Sequence, residues 1–301
     1  MAGALVVNAD DLGVSRGATL GIVRAHQEGI VTSASLAATT PCYAHALETC
    51  VRAFPKLGVG LHFTLTSGRP VSPATAVPDL VDTQGVLRWR FLSLLRAAGI
   101  AGRRDLLEQI DLELEAQIQR LESDGIRPDH INGERHVHLI PGIFERVVAA
   151  ARRHAIPYVR AGQEMRLRLS PGWDTLRIAG PGAAKSLILG ALTRRGRRHL
   201  GDGVRSAEHF ASYLYSGRLD CIMSDLLRQG PPTEGVTEVM VHPGVPEESL
   251  GIDLGNPDVE RYLASPDRQR ELDACIEARQ WTSGWRPTTF GQLAREPAGT
   301  W

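Results

Sequence analysis

Short strand-like apolar runs alternate with longer helix-like stripes along most of this chain. Ala4 to Asn8 is an unbroken apolar run closing on a polar residue, the pattern of a strand buried on both faces. Ser15 offers an N-cap, and Ala18, Ile22, Val23 and Ala25 mark a helix that stops near Gly29. Val31–Thr39 reads as a second strand, ended by Pro41. Tyr43–Phe54 follows as a helix and Leu57–Phe63 as a third strand. The stripe Leu106, Ile110, Leu114, Ile118 and Leu121 predicts a helix over 105–123. Beyond it come a strand at 128–132, a helix at 141–154 and a short strand at 157–160. Helices are expected at 182–192, near 207–215 and at 217–229. A strong strand at 237–242 precedes a helical stretch, 257–279, interrupted near Pro266.

This βαβα rhythm predicts an α/β fold, an irregular TIM-type (β/α) barrel of mainly parallel strands forming a single domain over 1–301. Two stretches break the rhythm and read as irregular insertions, at about 66–100 and 161–235. The first is rich in Pro and Gly, and its Ser67–Trp89 part is expected to act as a lid or wall over a substrate. Neither a GxGxxG after the first strand nor a GxxxxGK[ST] motif is present, so a dinucleotide or P-loop site has no support.

Composition narrows the class further. The 34 Lys and Arg balance the 34 Asp and Glu, which argues against a generic nucleic-acid binder. No run of about 18 apolar residues exists, so no membrane span is expected. The first eight residues read as a strand and not as a signal peptide. Four cysteines without CxxC spacing fit reduced thiols in a cytoplasmic protein. The segment 184–199, apolar and then strongly basic, reads as a solvated face, with weak surface association or contact with an anionic group as its functional alternative. A homo-oligomer is left open.

In such a barrel the chemistry collects at the carboxyl ends of strands. Those ends carry Asp10 and Asp11, then His62, then the cluster His130, Asn132, Glu134, His136 and His138, and finally His242 before Pro243-Gly244. Each alone has a bland reading: turn formers, a core histidine, a turn residue. The 130–138 cluster is harder to set aside. If extended, its alternate residues share a face, and burying such a row without purpose is costly. A structural hydrogen-bond network remains the alternative to a hydrolytic metal site. Mixed carboxylate and imidazole ligands suit Zn²⁺, Mn²⁺, Fe²⁺ or Ni²⁺ better than Mg²⁺.

The motifs Asn8-Ala-Asp-Asp-Leu-Gly13, Gly29–Ser33, Gly60-Leu-His62, Arg127–His130 through His136–Pro141, and His242-Pro-Gly244 together resemble the YdjC-like carbohydrate deacetylase family. The match runs in order over 5–160 and resumes near 236–245. The resemblance implies a barrel-like fold and metal-dependent removal of acetyl from an N-acetylated amino sugar, free or lipid-linked. It implies a divalent ion, zinc or magnesium, held by Asp11, His62 and a third ligand, with Asp10 as base and His242 as acid. Here the chain departs from the family pattern: Glu134 stands where the third ligand is expected to be histidine. Glu134 as the ligand, His136 or His138 in its place, or a damaged site all stay open. Asn132 and Arg160 are further candidate site residues. The rival readings are a non-catalytic sugar-binding protein of the same fold and a metal-dependent barrel hydrolase acting on another bond.

Overall fold

The structure, a computed structural model, describes residues 3–165, 175–201, 203–232 and 234–297, with only the backbone over 175–181. In chain order the elements are β1 (Gly3–Leu12), α1 (Arg16–Gln27), β2 (Ser33–Leu36), α2 (Tyr43–Ala46, continued as a π-turn to Val51) and β3 (Gly58–Phe63). There follow α3 (Phe91–Leu94, continued to Ile100), α4 (Arg104–Ser123), β4 (His130–Gly133), α5 (Ile143–Arg153), β5 (Tyr158–Val159), β6 (Gln163–Glu164), α6 (Thr175–Gly196) and β7 (His209–Ala211). The chain ends with α7 (Met223–Arg228), β8 (Val236–Val241), α8 (Pro257–Leu263), α9 (Asp267–Glu277), β9 (Trp285–Pro287) and α10 (Phe290–Arg295).

The strands pair in the order β5-β4-β3-β2-β1-β8-β7-β6, all parallel, with β9 added beside β1. The two ends of that path, β5 and β6, are consecutive in the chain. Val159 also donates to the Arg205 carbonyl and Arg205 to the Pro157 carbonyl. The sheet therefore curls back on itself into the expected barrel-like α/β arrangement. β1 and β8 sit in its middle and are almost wholly buried, which is why β1 reads as an apolar run, while β8 carries Thr237 and Glu238 among its apolar residues. Ser15 caps α1 through the Ala18 N–H, as its position suggested.

Three elements differ from the sequence pattern. The 207–215 segment is not a helix; it supplies β7, because Phe210 and Ala211 fill the gap between β6 and β8. The expected strand at 128–132 ends at Gly133, and Glu134–Leu139 turns as a short 3₁₀ segment with left-handed φ at Arg135 (51°) and His136 (63°). The 130–138 row is thus not one extended face. The expected 182–192 helix grows to Thr175–Gly196, inside the 161–235 insertion, of which 166–174, 202 and 233 lie outside the described residues. Among the described residues no helix is long and apolar enough to cross a membrane. Cys50, Cys221 and Cys275 are buried, Cys42 half-buried, and all four are free.

Candidate active site

The carboxyl ends of β1, β3, β4 and β8 meet at one cavity of about 560 Å³. Asp10, Asp11, His62, Glu134, His136 and His242 all open into it. Asp11 takes a left-handed φ of 70°, where the register between β1 and β2 shifts between Ala9 and Leu12. That bulge turns two successive aspartates toward the same space instead of to opposite faces of the strand.

A buried network organises the floor. The Arg160 guanidinium grips Asp10 with two bonds, of 2.6 and 2.7 Å, and gives its Nε to Glu238 at 2.7 Å. Asn8 and Asn132 also donate to Asp10 Oδ1. Oδ1 thus accepts three bonds and Oδ2 one. Burial alone would raise the Asp10 pKa, but the Arg160 charge overrides it and holds the carboxyl well below the usual range. Glu238 shares the cation less favourably, and burial leaves its carboxyl raised.

The same network fixes His62. Asn132 donates its amide N–H groups to Asp10 and to Ser35, so its oxygen faces His62 Nδ1 at 2.6 Å. Nδ1 therefore carries the proton, and Nε2 presents its lone pair to Asp11 Oδ1, 3.3 Å away. Two acceptors aimed at each other call for a cation or a proton between them. Without a metal ion, burial would lower the His62 pKa, but the Asp11 bond and the charges of Asp10 and Asp11 lift it to about 9. This donor pair fits a divalent metal ion. The Glu134 carboxylate, on the same cavity, is held by the Thr66 and Ser67 hydroxyls. Among the described residues no three His, Cys, Asp or Glu side chains are already gathered as a metal cluster.

The other histidines divide. His130 donates through Nδ1 to Asp129, accepts the Ser35 hydroxyl at Nε2, and stacks on Phe290, so its part is structural. Gly60 is required beneath it, since an added Cβ would lie 2.3 Å from the ring. His138 is buried, bonds the Arg160 carbonyl and lies off the cavity lining; burial drives its pKa down to about 3. His136 lines the cavity edge-on to Tyr213, with Nδ1 buried and unbonded. His242 is held by α9: Glu271 accepts its backbone N–H at 2.6 Å, and Arg268 donates to its carbonyl at 2.9 Å. Glu271 also stands 3.6 Å from His242 Nδ1, and the Tyr262 ring meets the imidazole edge-on.

The family described as YdjC-like protein matches residues 4–280. The chain belongs to the YdjC-like family. A chitooligosaccharide deacetylase of Proteus mirabilis is 42% identical over 159 residues, covering 52% of this chain and 58% of that one. A carbohydrate deacetylase of Geobacillus stearothermophilus is 38% identical over 200 residues, 66% of this chain and 74% of its own. The YdjC-like chain thus spans little more than half the length of the Proteus relative. A solved Enterococcus faecalis V583 structure, titled for cellobiose-phosphate cleavage, shares the fold at TM-score 0.70 and 24% identity, covering 97% of this chain and 99% of that one.

Several site residues of this YdjC-like chain were not singled out in the sequence. Glu238 had a signal, a carboxylate inside a mainly apolar strand. Ser35, Thr66 and Ser67 carried none, and Arg268 and Glu271 look like any charged i, i+3 pair on a solvated helix. Residues 68–89 do not line the cavity; Val71 and Ser72 donate backbone N–H groups to the buried Glu113 of α4, which ties the loop down. Phe91, Leu92 and the α6 residues Ile188 and Leu189 form the wall instead.

Proposed function

We propose that this YdjC-like chain is a carbohydrate deacetylase that removes acetyl from an N-acetylated amino sugar, with help from a divalent metal ion. The carrying observation is the convergence of Asp10, Asp11, His62, Glu134 and His242 on one cavity at the strand ends. Asp11 and His62 would hold the ion, and Glu134 is its third protein ligand in this reading; zinc suits these donors best. When bound, the ion supplies Lewis acidity and a more acidic water.

The chain's own residues supply the rest. Asp10 Oδ2, which accepts only one bond, is the oxygen able to take a proton from water. Arg160 keeps Asp10 ionised at any ordinary pH, so the base is always in the right form although weakly basic. His242 follows the Ala9–Val241 pair on the neighbouring strand, so it stands beside Asp10 on the same cavity, is clamped at both of its backbone polar groups, and protonates the departing amine. The names of the Proteus and Geobacillus relatives support the substrate class. The absence of a preassembled cluster of three ligand side chains among the described residues favours one rival, a sugar-binding protein that has lost catalysis. Acetate release from a panel of N-acetylated sugars, with zinc restored after chelation, separates them. Zinc-dependent release supports the enzyme, and sugar binding without release supports the rival.

A further inference from the structure

Glu134 reaches the cavity from the turn after β4, and the groups that hold it come from a different element. Thr66 and Ser67 follow β3, and their hydroxyls donate one to each carboxylate oxygen, Ser67 at 2.7 Å. All three side chains are buried. The two hydroxyls do not sit on a free loop. Asn256, which caps α8 through the Asp258 N–H, donates its amide to the Thr66 carbonyl at 2.8 Å. Gln117 of α4 bonds both the N–H and the carbonyl of Thr64. The Gly68 N–H bonds the Leu254 carbonyl at 2.8 Å. Gly68 has a left-handed φ of 76°, and an added Cβ there would lie 2.4 Å from the Thr39 carbonyl oxygen. Anchors on α4, on α8 and on the loops at 39 and 254 therefore fix where the pair stands.

The pair suits a carboxylate. An ionised carboxylate offers about four lone-pair sites, so one hydroxyl on each oxygen leaves both oxygens with a site to spare. An imidazole has two ring nitrogens. Bound to a metal through one, it has a single N–H left, and only one of the two hydroxyls could accept it. Thr66 and Ser67 thus match the glutamate of this chain and not the histidine of the family pattern. We propose that Thr66 and Ser67 are positioning residues for Glu134, restricting its carboxylate to the orientations from which it joins Asp11 and His62 on a divalent ion. This rests on the metal-dependent reading of the site, and adds the groups that let glutamate serve as the third ligand. Among the described residues no three ligand side chains are already gathered, so Glu134 closes the last distance when the ion binds. Restricting it beforehand lowers the cost of that step.

The test titrates zinc, in competition with a chromophoric chelator, into the parent and into Thr66→Val/Ser67→Ala. The same two changes are then made in a Glu134→His background, and Thr66→Ser, which keeps the hydroxyl, serves as the rescue. The double variant should bind zinc about 10–100-fold more weakly than the parent, the loss typical of removing groups that orient a metal ligand. Thr66→Ser should keep the parent's affinity, and in the Glu134→His background the two changes should shift affinity by less than about 3-fold. Unchanged or tighter zinc binding in the double variant overturns the inference. An equal loss in both backgrounds does so too, since the hydroxyls would then serve the fold and not the carboxylate. Should the double variant fail to fold, Ser67→Ala alone decides by the same comparison of backgrounds. Acetate release by the zinc-loaded parent is scored separately. Its absence beside the expected zinc pattern counts against the deacetylase reading and upholds the inference, whereas release that persists beside unchanged zinc affinity in the double variant does the reverse.

Discussion

Replacing Arg160 by methionine removes the one guanidinium that neutralises two buried carboxylates. Arg160 is 2% exposed, Asp10 3% and Glu238 0%, so water cannot substitute for it. Stripped of its partner, Asp10 is left with burial, two amide donors and the weaker pull of the His62 and His242 charges. If burial raises its folded pKa by about 3 units over an unfolded value near 3.9, the penalty at pH 7 is about 4 kcal/mol, at 1.36 kcal/mol per unit. This agrees with the ~3–5 kcal/mol typical of breaking a buried pair by removing one partner. The sign with pH follows. In the parent, Asp10 has a depressed pKa, so its contribution is present above the unfolded value and lost only as pH falls through that range. In Arg160→Met the folded pKa is raised, so the penalty vanishes below about pH 4 and grows until pH passes the new pKa. At pH 5 it should be about 1.5 kcal/mol, and at pH 7 about 4. Urea unfolding at both pH values measures it. The triple variant Asp10→Asn/Arg160→Met/Glu238→Gln should regain most of the loss, since the charges go together. A loss under about 1 kcal/mol at pH 7, or one equal at both pH values, refutes the reasoning.

Titrating zinc into the parent, Glu134→Gln and Glu134→His tests the third ligand. Gln should lose most of the affinity and His keep it, whereas full affinity in Glu134→Gln hands the position to His136, which lines the cavity as His138 does not. At Gly21 an added Cβ would lie 2.4 Å from the Gly244 backbone, just beyond His242. Gly21→Ala should therefore cost about 1–3 kcal/mol in urea unfolding, as overpacking does, and a neutral result would show that α1 can shift away. Burial alone would lower the His154 pKa, but its bonds to Glu115 and Glu122 raise it. Its stabilisation is thus complete below the unfolded value near 6.5 and lost as pH rises through the folded one. His154→Ala should cost more at pH 6 than at pH 9, by under about 1 kcal/mol because the ring is near the surface, and equal costs at the two pH values would dismiss the pairing.

The alternation of strands and helices is legible in the residues alone, because both periodicities are local: β1 is an apolar run, β3 and β8 are short mainly apolar segments, and α4 is a stripe. The sequence also marked the chemistry, since Asp10, Asp11, His62 and His242 stand at the ends of those runs, where parallel strands deliver side chains to one side. Tertiary structure decided what each did. The row from His130 to His138 looks uniform in sequence, yet a left-handed turn at Arg135 and His136 sends Glu134 and His136 to the cavity while His130 and His138 brace the barrel. Likewise, the 207–215 segment could not be read as β7 from its own residues, because its strand character comes from pairing with β8 and β6. The buried partners of Asp10 and His242 are far from them in the chain, by 150 residues for Arg160 and by 29 for Glu271. No local pattern records such a meeting; it exists only once burial makes an unpaired charge too costly to leave alone.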